Sequence, residues 1–304
     1  MFPFRSVVLC LAVSACGGAI TSDSQDTSNP GTQDSGDSDG PLQEVDYRLS
    51  GPYGVATGTS SVSVASDCSL ESTLFTPQDA PESATVILSH GFARGKAQME
   101  QWGAHLASWG LTVLTPDLCH SSPFDTNHEQ NGADLAALSS QLDATQVIYA
   151  GHSAGGLASV LAGVNDPKAV GVIGLDLTDA SNLAVDAAAQ LNIPFFGIAG
   201  EPSSCNSDGN GTAVIGTAGA PYGVRTTDAD HCDFESPTDG LCTTFCAGGN
   251  DTFSDVEIQD SIRGLFTAAA VGAAGIDKGA TLQWWTNGGV FYDELNGSGA
   301  ILPL

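Results

Sequence analysis

The 304-residue sequence predicts an α/β fold in which helices cover both faces of a mainly parallel central sheet. Two observations lead to this prediction. Short, continuously apolar runs, as found in strands that are buried on both faces, alternate along the chain with longer segments of helical spacing. The chain is also long enough for one large α/β domain or two small ones.

Each predicted strand is a short apolar run that ends at glycine, proline or a polar residue. In chain order they cover residues 84–88, 111–114, 146–150, 169–175, 193–199 and 224–227.

Helices are predicted between these strands at residues 98–109, 131–142 and 154–164, and a closing helix is predicted after the last strand at residues 256–270. In the first of them, Trp102 and Leu106 fall on one side. Asn131 or Gly132 is expected to cap the second helix, and Pro167 to end the third.

Residues 1–15 have the pattern of a bacterial signal peptide, with Arg5 followed by an apolar stretch. The segment Val-Ser-Ala-Cys that ends at Cys16 resembles the bacterial lipobox, although an ordinary secretory signal is the alternative. The resemblance implies that Cys16 is acylated and anchors the protein in a membrane. Gly17 stands where many inner-membrane lipoproteins have Asp, which favours the outer membrane or cell surface.

Three segments are expected after the signal. Residues 16–45 are rich in Ser, Thr, Asp and Gly and are predicted to be a disordered linker. Residues 46–275 form the predicted α/β domain. Residues 276–304 form an aromatic extension around Gly288 and Gly289, expected to be a hairpin laid on the domain or, alternatively, a ligand platform.

The charge balance excludes one class of partner. Lys and Arg number 8 against 35 Asp and Glu, which gives a net charge of -27. Nucleic acid requires a basic surface, so no nucleic-acid partner is expected. No cofactor is expected either, and the oligomeric state stays open.

Six cysteines remain after the signal and Cys16, and in an exported protein an even number predicts up to three disulfides. A zinc site at Cys242 and Cys246, near His231 and Cys232, is the less favoured alternative, and no metal is expected. The pairing stays open among Cys68, Cys119, Cys205, Cys232, Cys242 and Cys246.

The strongest motif is Gly-His-Ser-Ala-Gly at residues 151–155. Gly-x-Ser-x-Gly marks a nucleophile elbow when a buried strand precedes it and a helix follows. Ser153 has that context. Ser38 lies in the same Gly-x-Ser-x-Gly motif, but in an acidic, Ser-rich stretch with no apolar run before it. Ser153 is therefore the candidate nucleophile.

A serine hydroxyl needs a base, usually histidine. In enzymes built on this elbow the order is Ser, acid, His, and only His231 follows Ser153 in the chain. The acid stays open on the residues alone: Asp176, Asp179 and Glu201 each follow a predicted strand.

The turn His90-Gly91-Phe92 also follows a predicted strand. Backbone N–H groups of such turns, together with that of the residue after the nucleophile, form oxyanion holes. Phe92 and Ala154 are therefore the candidate donors. The candidates for the pocket wall are His90, Gly91, His120 and His152.

Four stretches carry a family resemblance: ILSHGFARGKAQMEQWGAHLASWGLTVLTPD, GHSAGG, GVIGLD and DHCDF. From about residue 47 to residue 273 the chain resembles the α/β-hydrolase superfamily. Within it, the chain is most similar to chlorophyllase-type and platelet-activating-factor-acetylhydrolase-type esterases, which border on bacterial polyester hydrolases. The first two groups imply Asp176 as the acid and the polyester hydrolases imply Glu201; Asp176 is preferred.

The resemblance implies a serine esterase that cleaves lipid, aryl or polymer esters through an acyl-enzyme. Two departures prevent a substrate from being carried over. Ala154 stands where chlorophyllases have Arg, and Leu177-Thr178-Asp179 replaces their Pro-Val run. A catalytically silent surface-binding module and a peptidase or amidase on the same fold are the alternatives.

Overall fold

The computed structural model describes residues 44–248 and 252–304. The predictions for the signal peptide, for Cys16, for Ser38 and for most of the linker lie outside these residues. At the end of the predicted linker, the carbonyl of Val45 accepts a 3.1 Å hydrogen bond from the Trp284 indole, so this residue is held to the domain.

A nine-stranded sheet forms the centre of the described structure, in the order β1-β2-β4-β3-β7-β8-β9-β10-β11. The sheet is parallel from β4 to β10, and the pairs β1–β2, β2–β4 and β10–β11 are antiparallel. The prediction of a mainly parallel sheet is therefore confirmed. In chain order the strands are β1 (Val55–Ser63), β2 (Ser69–Pro77), β3 (Thr85–Ser89), β4 (Thr112–Pro116), β5 (Ser121–Ser122), β6 (Asp125–Thr126), β7 (Val147–His152), β8 (Ala169–Leu175), β9 (Phe195–Ala199), β10 (Pro221–Thr226) and β11 (Ile301–Pro303); β5 and β6 form a separate ribbon.

Helices cover both faces of the sheet, as predicted. One hydrophobic core joins the sheet to α1, α7, α8 and α9, and the other joins it to α2, α3, α4 and α5. The helices are α1 (Glu100–Ser108), α2 (His128–Gln141), α3 (Ala154–Asn165), α4 (Leu183–Ala188), α5 (Thr212–Thr217), α6 (Gly240–Phe245), α7 (Asp255–Ala273), α8 (Ala280–Trp285) and α9 (Val290–Ser298).

The apolar runs in the sequence follow from this layering. In β7, Ile148 and Ala150 belong to one core, whereas Val147 and Tyr149 belong to the other. Successive strand residues point to opposite faces, so a strand covered on both sides needs apolar residues at every position.

The predicted cap of α2 is wrong. The helix begins at His128, and the side chain of Asn127 accepts the capping hydrogen bond from the Gln130 N–H. Asn131 is instead buried inside the helix, where its amide donates to the carbonyl of His120.

The hairpin expected in the C-terminal extension is also wrong. Gly289 precedes α9, and the segment continues into β11, which pairs with β10. The rings of Trp284 and Phe291 stack with their centroids 4.4 Å apart, inside one core of the domain. The aromatic residues of this segment therefore stabilise the fold.

The six cysteines form three disulfides, Cys68–Cys119, Cys205–Cys246 and Cys232–Cys242. The disulfide prediction is confirmed, and the three cysteines of the zinc alternative are all paired. Disulfides of this kind persist in oxidising compartments, which indicates a location outside the cytoplasm. Within residues 44–248 and 252–304, no helix combines the length and apolar character needed to cross a membrane.

Candidate active site

Ser153 occupies a tight turn between β7 and α3. Its backbone has φ 55° and ψ −125°, a conformation that costs a non-glycine residue about 1–3 kcal/mol and is found mainly at functional sites. The flanking glycines are required by close approach, because a Cβ on Gly151 would lie 2.4 Å from the Gly155 carbonyl. A Cβ on Gly155 would lie 2.4 Å from the carbonyl of His90. The predicted strand, turn and helix around Ser153 are thus all present.

His231 begins a short 3₁₀ turn beyond the end of β10, and the Asp230 side chain caps that turn. The Nδ1 atom of His231 lies 2.6 Å from Oδ2 of Asp176, and both side chains are buried. An ionised carboxylate only accepts hydrogen bonds, so Nδ1 carries the hydrogen and Nε2 is left with its lone pair. The imidazole is thereby held in the tautomer that can act as a base at Nε2.

Asp176, directly after β8, is fixed by further hydrogen bonds. The backbone N–H of Gly200 donates to Oδ1 at 2.9 Å, and the Asn206 amide donates to both carboxylate oxygens, at 3.2 and 3.1 Å. These donors hold the carboxylate in the orientation that presents Oδ2 to His231. Asn206 is a supporting residue that the sequence did not reveal.

The two alternative acids do not contact His231 among the described residues. Asp179 accepts hydrogen bonds from two backbone N–H groups in the first turn of α4, so it caps that helix. Glu201 lines a different cavity. The structure therefore brings Asp176, and neither alternative, to the imidazole.

Ser153 and His231 line one cavity of about 250 Å³, together with Gly91, Phe92 and His152. The Ser153 hydroxyl is 3.4 Å from Thr178 Oγ1, a long hydrogen bond, and no hydrogen bond joins it to His231 in the described residues. Catalytic hydrogen bonds are often long in ligand-free sites and tighten when substrate binds. A larger cavity of about 400 Å³ elsewhere contains none of these side chains.

His90 lies outside the cavity lining, contrary to the prediction that it forms part of the pocket wall. Its Nδ1 donates to the Gly91 carbonyl at 2.8 Å, and its Nε2 accepts from the Leu118 N–H at 2.9 Å. Burial lowers the pKa of His90 and keeps it neutral. Because Gly91 C=O and Phe92 N–H belong to one peptide group, this hydrogen bond fixes the direction of the Phe92 N–H.

His120 also lies outside the lining, so its assignment to the pocket is wrong. Its Nδ1 is 3.0 Å from Asp125 Oδ2, at the β5–β6 ribbon. His152 does line the cavity, and its ring packs 4.4 Å from the ring of His231. Burial, with the neighbouring His231, holds the pKa of His152 well below its usual value, so it contributes a neutral wall.

The sequence matches no protein-family model and no curated protein.

An ion pair joins the two loops that carry the candidate groups. Arg94, in the turn after β3, makes two hydrogen bonds of 2.6 and 2.7 Å to the carboxylate of Glu235, which is completely buried. A second carboxylate, Asp239, lies 2.8 Å from the same guanidinium. The pair thus ties the turn that contains Phe92 to the segment that follows His231. No sequence motif could reveal it, because its partners are 141 residues apart.

The arrangement as a whole contains the parts needed for nucleophilic chemistry. A hydroxyl and an imidazole share a cavity, and a buried carboxylate orients the imidazole. Two backbone N–H groups, of Phe92 and Ala154, donate no hydrogen bond to another group within the described residues. Donors of this kind next to a nucleophile can stabilise an oxyanion.

Proposed function

We propose that the protein is a serine esterase of the α/β-hydrolase fold, with Ser153 as nucleophile, His231 as base and Asp176 as the orienting acid. The observation that carries this proposal is the 2.6 Å His231–Asp176 hydrogen bond beside a strained serine turn in the same cavity. The order along the chain also supports it, with the serine after β7, the acid after β8 and the histidine after β10.

In the proposed reaction, Ser153 Oγ attacks the ester carbonyl carbon while His231 Nε2 takes the hydroxyl proton. The bond to the alcohol oxygen then breaks, and His231 returns the proton to that oxygen. A water molecule, deprotonated by His231, attacks the acyl-enzyme and releases the carboxylic acid. Ser153 recovers its proton from His231, so no cofactor is consumed.

Asp176 has two tasks in this scheme. It holds the hydrogen of His231 on Nδ1, and it stabilises the imidazolium that forms during attack. The N–H groups of Phe92 and Ala154 stabilise the oxyanion of the tetrahedral intermediate. His90 acts through the backbone, because its hydrogen bond to Gly91 orients the Phe92 N–H.

One rearrangement is required before the first step. The Ser153 hydroxyl must turn from Thr178 towards His231 Nε2. Substrate binding is expected to bring about this rotation, because catalytic hydrogen bonds that are long in ligand-free sites tighten in the complex. The contact with Thr178 also favours the second candidate, a catalytically silent binding module, and the experiment must separate the two.

The decisive experiment compares alanine variants of the two serines that lie in a Gly-x-Ser-x-Gly motif. Ser153→Ala is expected to abolish hydrolysis of p-nitrophenyl esters, whereas the matched control Ser38→Ala keeps wild-type turnover. Undiminished hydrolysis by Ser153→Ala would contradict Ser153 as the nucleophile, whereas no hydrolysis by the wild type would contradict the esterase function and favour the binding module.

We also propose that Cys16 is acylated and tethers the esterase to the outer membrane or cell surface. The lipobox-like segment before Cys16 supports this location, and the three disulfides agree with export. Cys16→Ser is expected to move the protein from the membrane fraction to the soluble fraction. An unchanged distribution would contradict the anchor.

A further inference from the structure

One part of the cavity wall is built by α6, which contributes Leu241, Cys242 and Phe245. Three partly exposed apolar side chains surround the cavity: Phe92 at 42% exposure, Leu241 at 52% and Phe245 at 73%. Single exposed apolar residues are ordinary, but several around one cavity mark a binding surface. Leu241 and Phe245 both belong to α6, so this helix supplies most of the apolar wall.

The helix α6 is held firmly in place although it has only six residues. The Cys232–Cys242 disulfide ties it to the turn of His231, and Cys205–Cys246 ties its end to the loop after β9. Asp239 caps its first turn and is paired with Arg94. A wall fixed by covalent bonds keeps its shape before substrate arrives, which reduces the ordering cost of binding.

The charges around the cavity favour a neutral ligand group. Arg94 brings a positive charge to the lining, but both Glu235 and Asp239 compensate it. A carboxylate or phosphate group on the substrate would therefore meet a guanidinium that is already paired, next to two anions. An ammonium group would lose its hydration against the apolar side chains of α6.

The volume limits the size of the group. One water molecule takes up about 30 Å³ in the liquid, and a non-hydrogen atom of a ligand is counted here at the same volume. On that basis the cavity of about 250 Å³ holds roughly eight non-hydrogen atoms. On the basis of the proposed esterase function, we propose that the cavity binds one compact, uncharged apolar group of the ester, either an aryl ring or a short alkyl chain. Leu241 and Phe245 determine the length that is accepted.

The test uses two ester series. One varies the acyl chain of p-nitrophenyl esters from acetate to palmitate, and the other varies the alcohol of acetate esters over a similar range. In one of the two series, kcat/KM is expected to increase with the size of the varied group up to about eight non-hydrogen atoms and to decrease for larger groups. The series that shows the maximum identifies which side of the ester enters the cavity; a flat or steadily rising profile in both series would overturn the inference.

Variants of α6 test the named residues. Leu241→Trp is expected to shift the maximum to a shorter group. Phe245→Ser is expected to lower kcat/KM for the preferred ester at least about tenfold, with a smaller effect on the shortest ester, since one methylene too many or too few in an apolar pocket changes kcat/KM about 10- to 200-fold. Both side chains are exposed, so the fold does not depend on them.

Phe124→Ser is the matched control, because Phe124 is fully exposed and lies outside the cavity. Its length profile is expected to equal that of the wild type. If the profiles of the α6 variants coincide with this control while Ser153→Ala is inactive, the inference is wrong and the esterase function stands. Activity that survives Ser153→Ala would overturn both.

Discussion

Asp233 lies in the 3₁₀ turn that carries His231, and replacing it with Asn should change how stability depends on pH. The carboxylate is buried, and its Oδ2 accepts a 2.8 Å hydrogen bond from the Asp230 N–H. Burial, aided by the charges of Asp230 and Asp255, raises the pKa of Asp233 from 3.8 to about 7. The folded protein therefore holds this proton more tightly than the unfolded chain does.

The magnitude follows from the shift. A difference of about 3 pH units, at about 1.4 kcal/mol for each unit, corresponds to about 4 kcal/mol. Since the folded pKa is the higher one, this stabilisation is present at low pH and is lost as the pH rises from about 4 through about 7. Asn does not titrate, but its side-chain oxygen still accepts from the Asp230 N–H.

Urea unfolding of the wild type and Asp233→Asn between about pH 4 and about pH 8 measures the effect. The free energy of unfolding of the variant minus that of the wild type is expected to be about 4 kcal/mol larger at about pH 8 than at about pH 4. Buried histidines such as His90 and His152 titrate in both proteins, so their effects cancel. Asp67→Asn, in an exposed loop, is the control, and its free energy of unfolding is expected to follow that of the wild type with pH. If the difference in free energy of unfolding between Asp233→Asn and the wild type does not vary with pH, the reasoning is refuted.

Three further predictions follow from single contacts. Asp176→Asn should lower kcat about 10⁴-fold because His231 loses the partner that fixes its tautomer, whereas Glu201→Gln should leave kcat unchanged; ester assays decide between the two acids. Arg94→Ala leaves its completely buried partner carboxylate unpaired and should cost about 3–5 kcal/mol in urea unfolding, and a cost below 1 kcal/mol would contradict this role. Replacing both cysteines of Cys68–Cys119 with Ser should remove about 4 kcal/mol of stability but leave kcat/KM unchanged, because this disulfide closes a long loop away from the cavity.

Local patterns made much of the sheet and the serine turn predictable. A strand at residues 169–175 was predicted with the bounds of β8, because each of its residues is apolar or Gly and both of its faces are covered. The same reasoning missed β1, whose sequence VATGTSSVS is largely polar, because β1 lies at the sheet edge with most residues exposed. Burial on two faces leaves a clear sequence pattern, and an exposed edge strand does not.

The site was predictable only where chemistry fixes residue types in a fixed order. The elbow motif and the single downstream histidine led to Ser153 and His231. The residues alone left Asp176, Asp179 and Glu201 open; the family resemblance favoured Asp176, and the structure places this carboxylate at His231. Arg94 had no sequence signal, since an ion pair across 141 residues depends on how two loops meet in the fold. In the C-terminal segment the glycines are compatible with either a hairpin turn or the start of a helix, and Gly289 in fact precedes a helix.

The most direct test of the account is covalent labelling of Ser153 with a fluorophosphonate, followed by mass spectrometric mapping of the adduct. Activation of the Ser153 hydroxyl by His231 predicts a single adduct on Ser153 in the wild type and labelling that is greatly slowed in His231→Ala. Absence of an adduct on Ser153, or equally fast labelling in His231→Ala, would contradict the activation of this serine by His231.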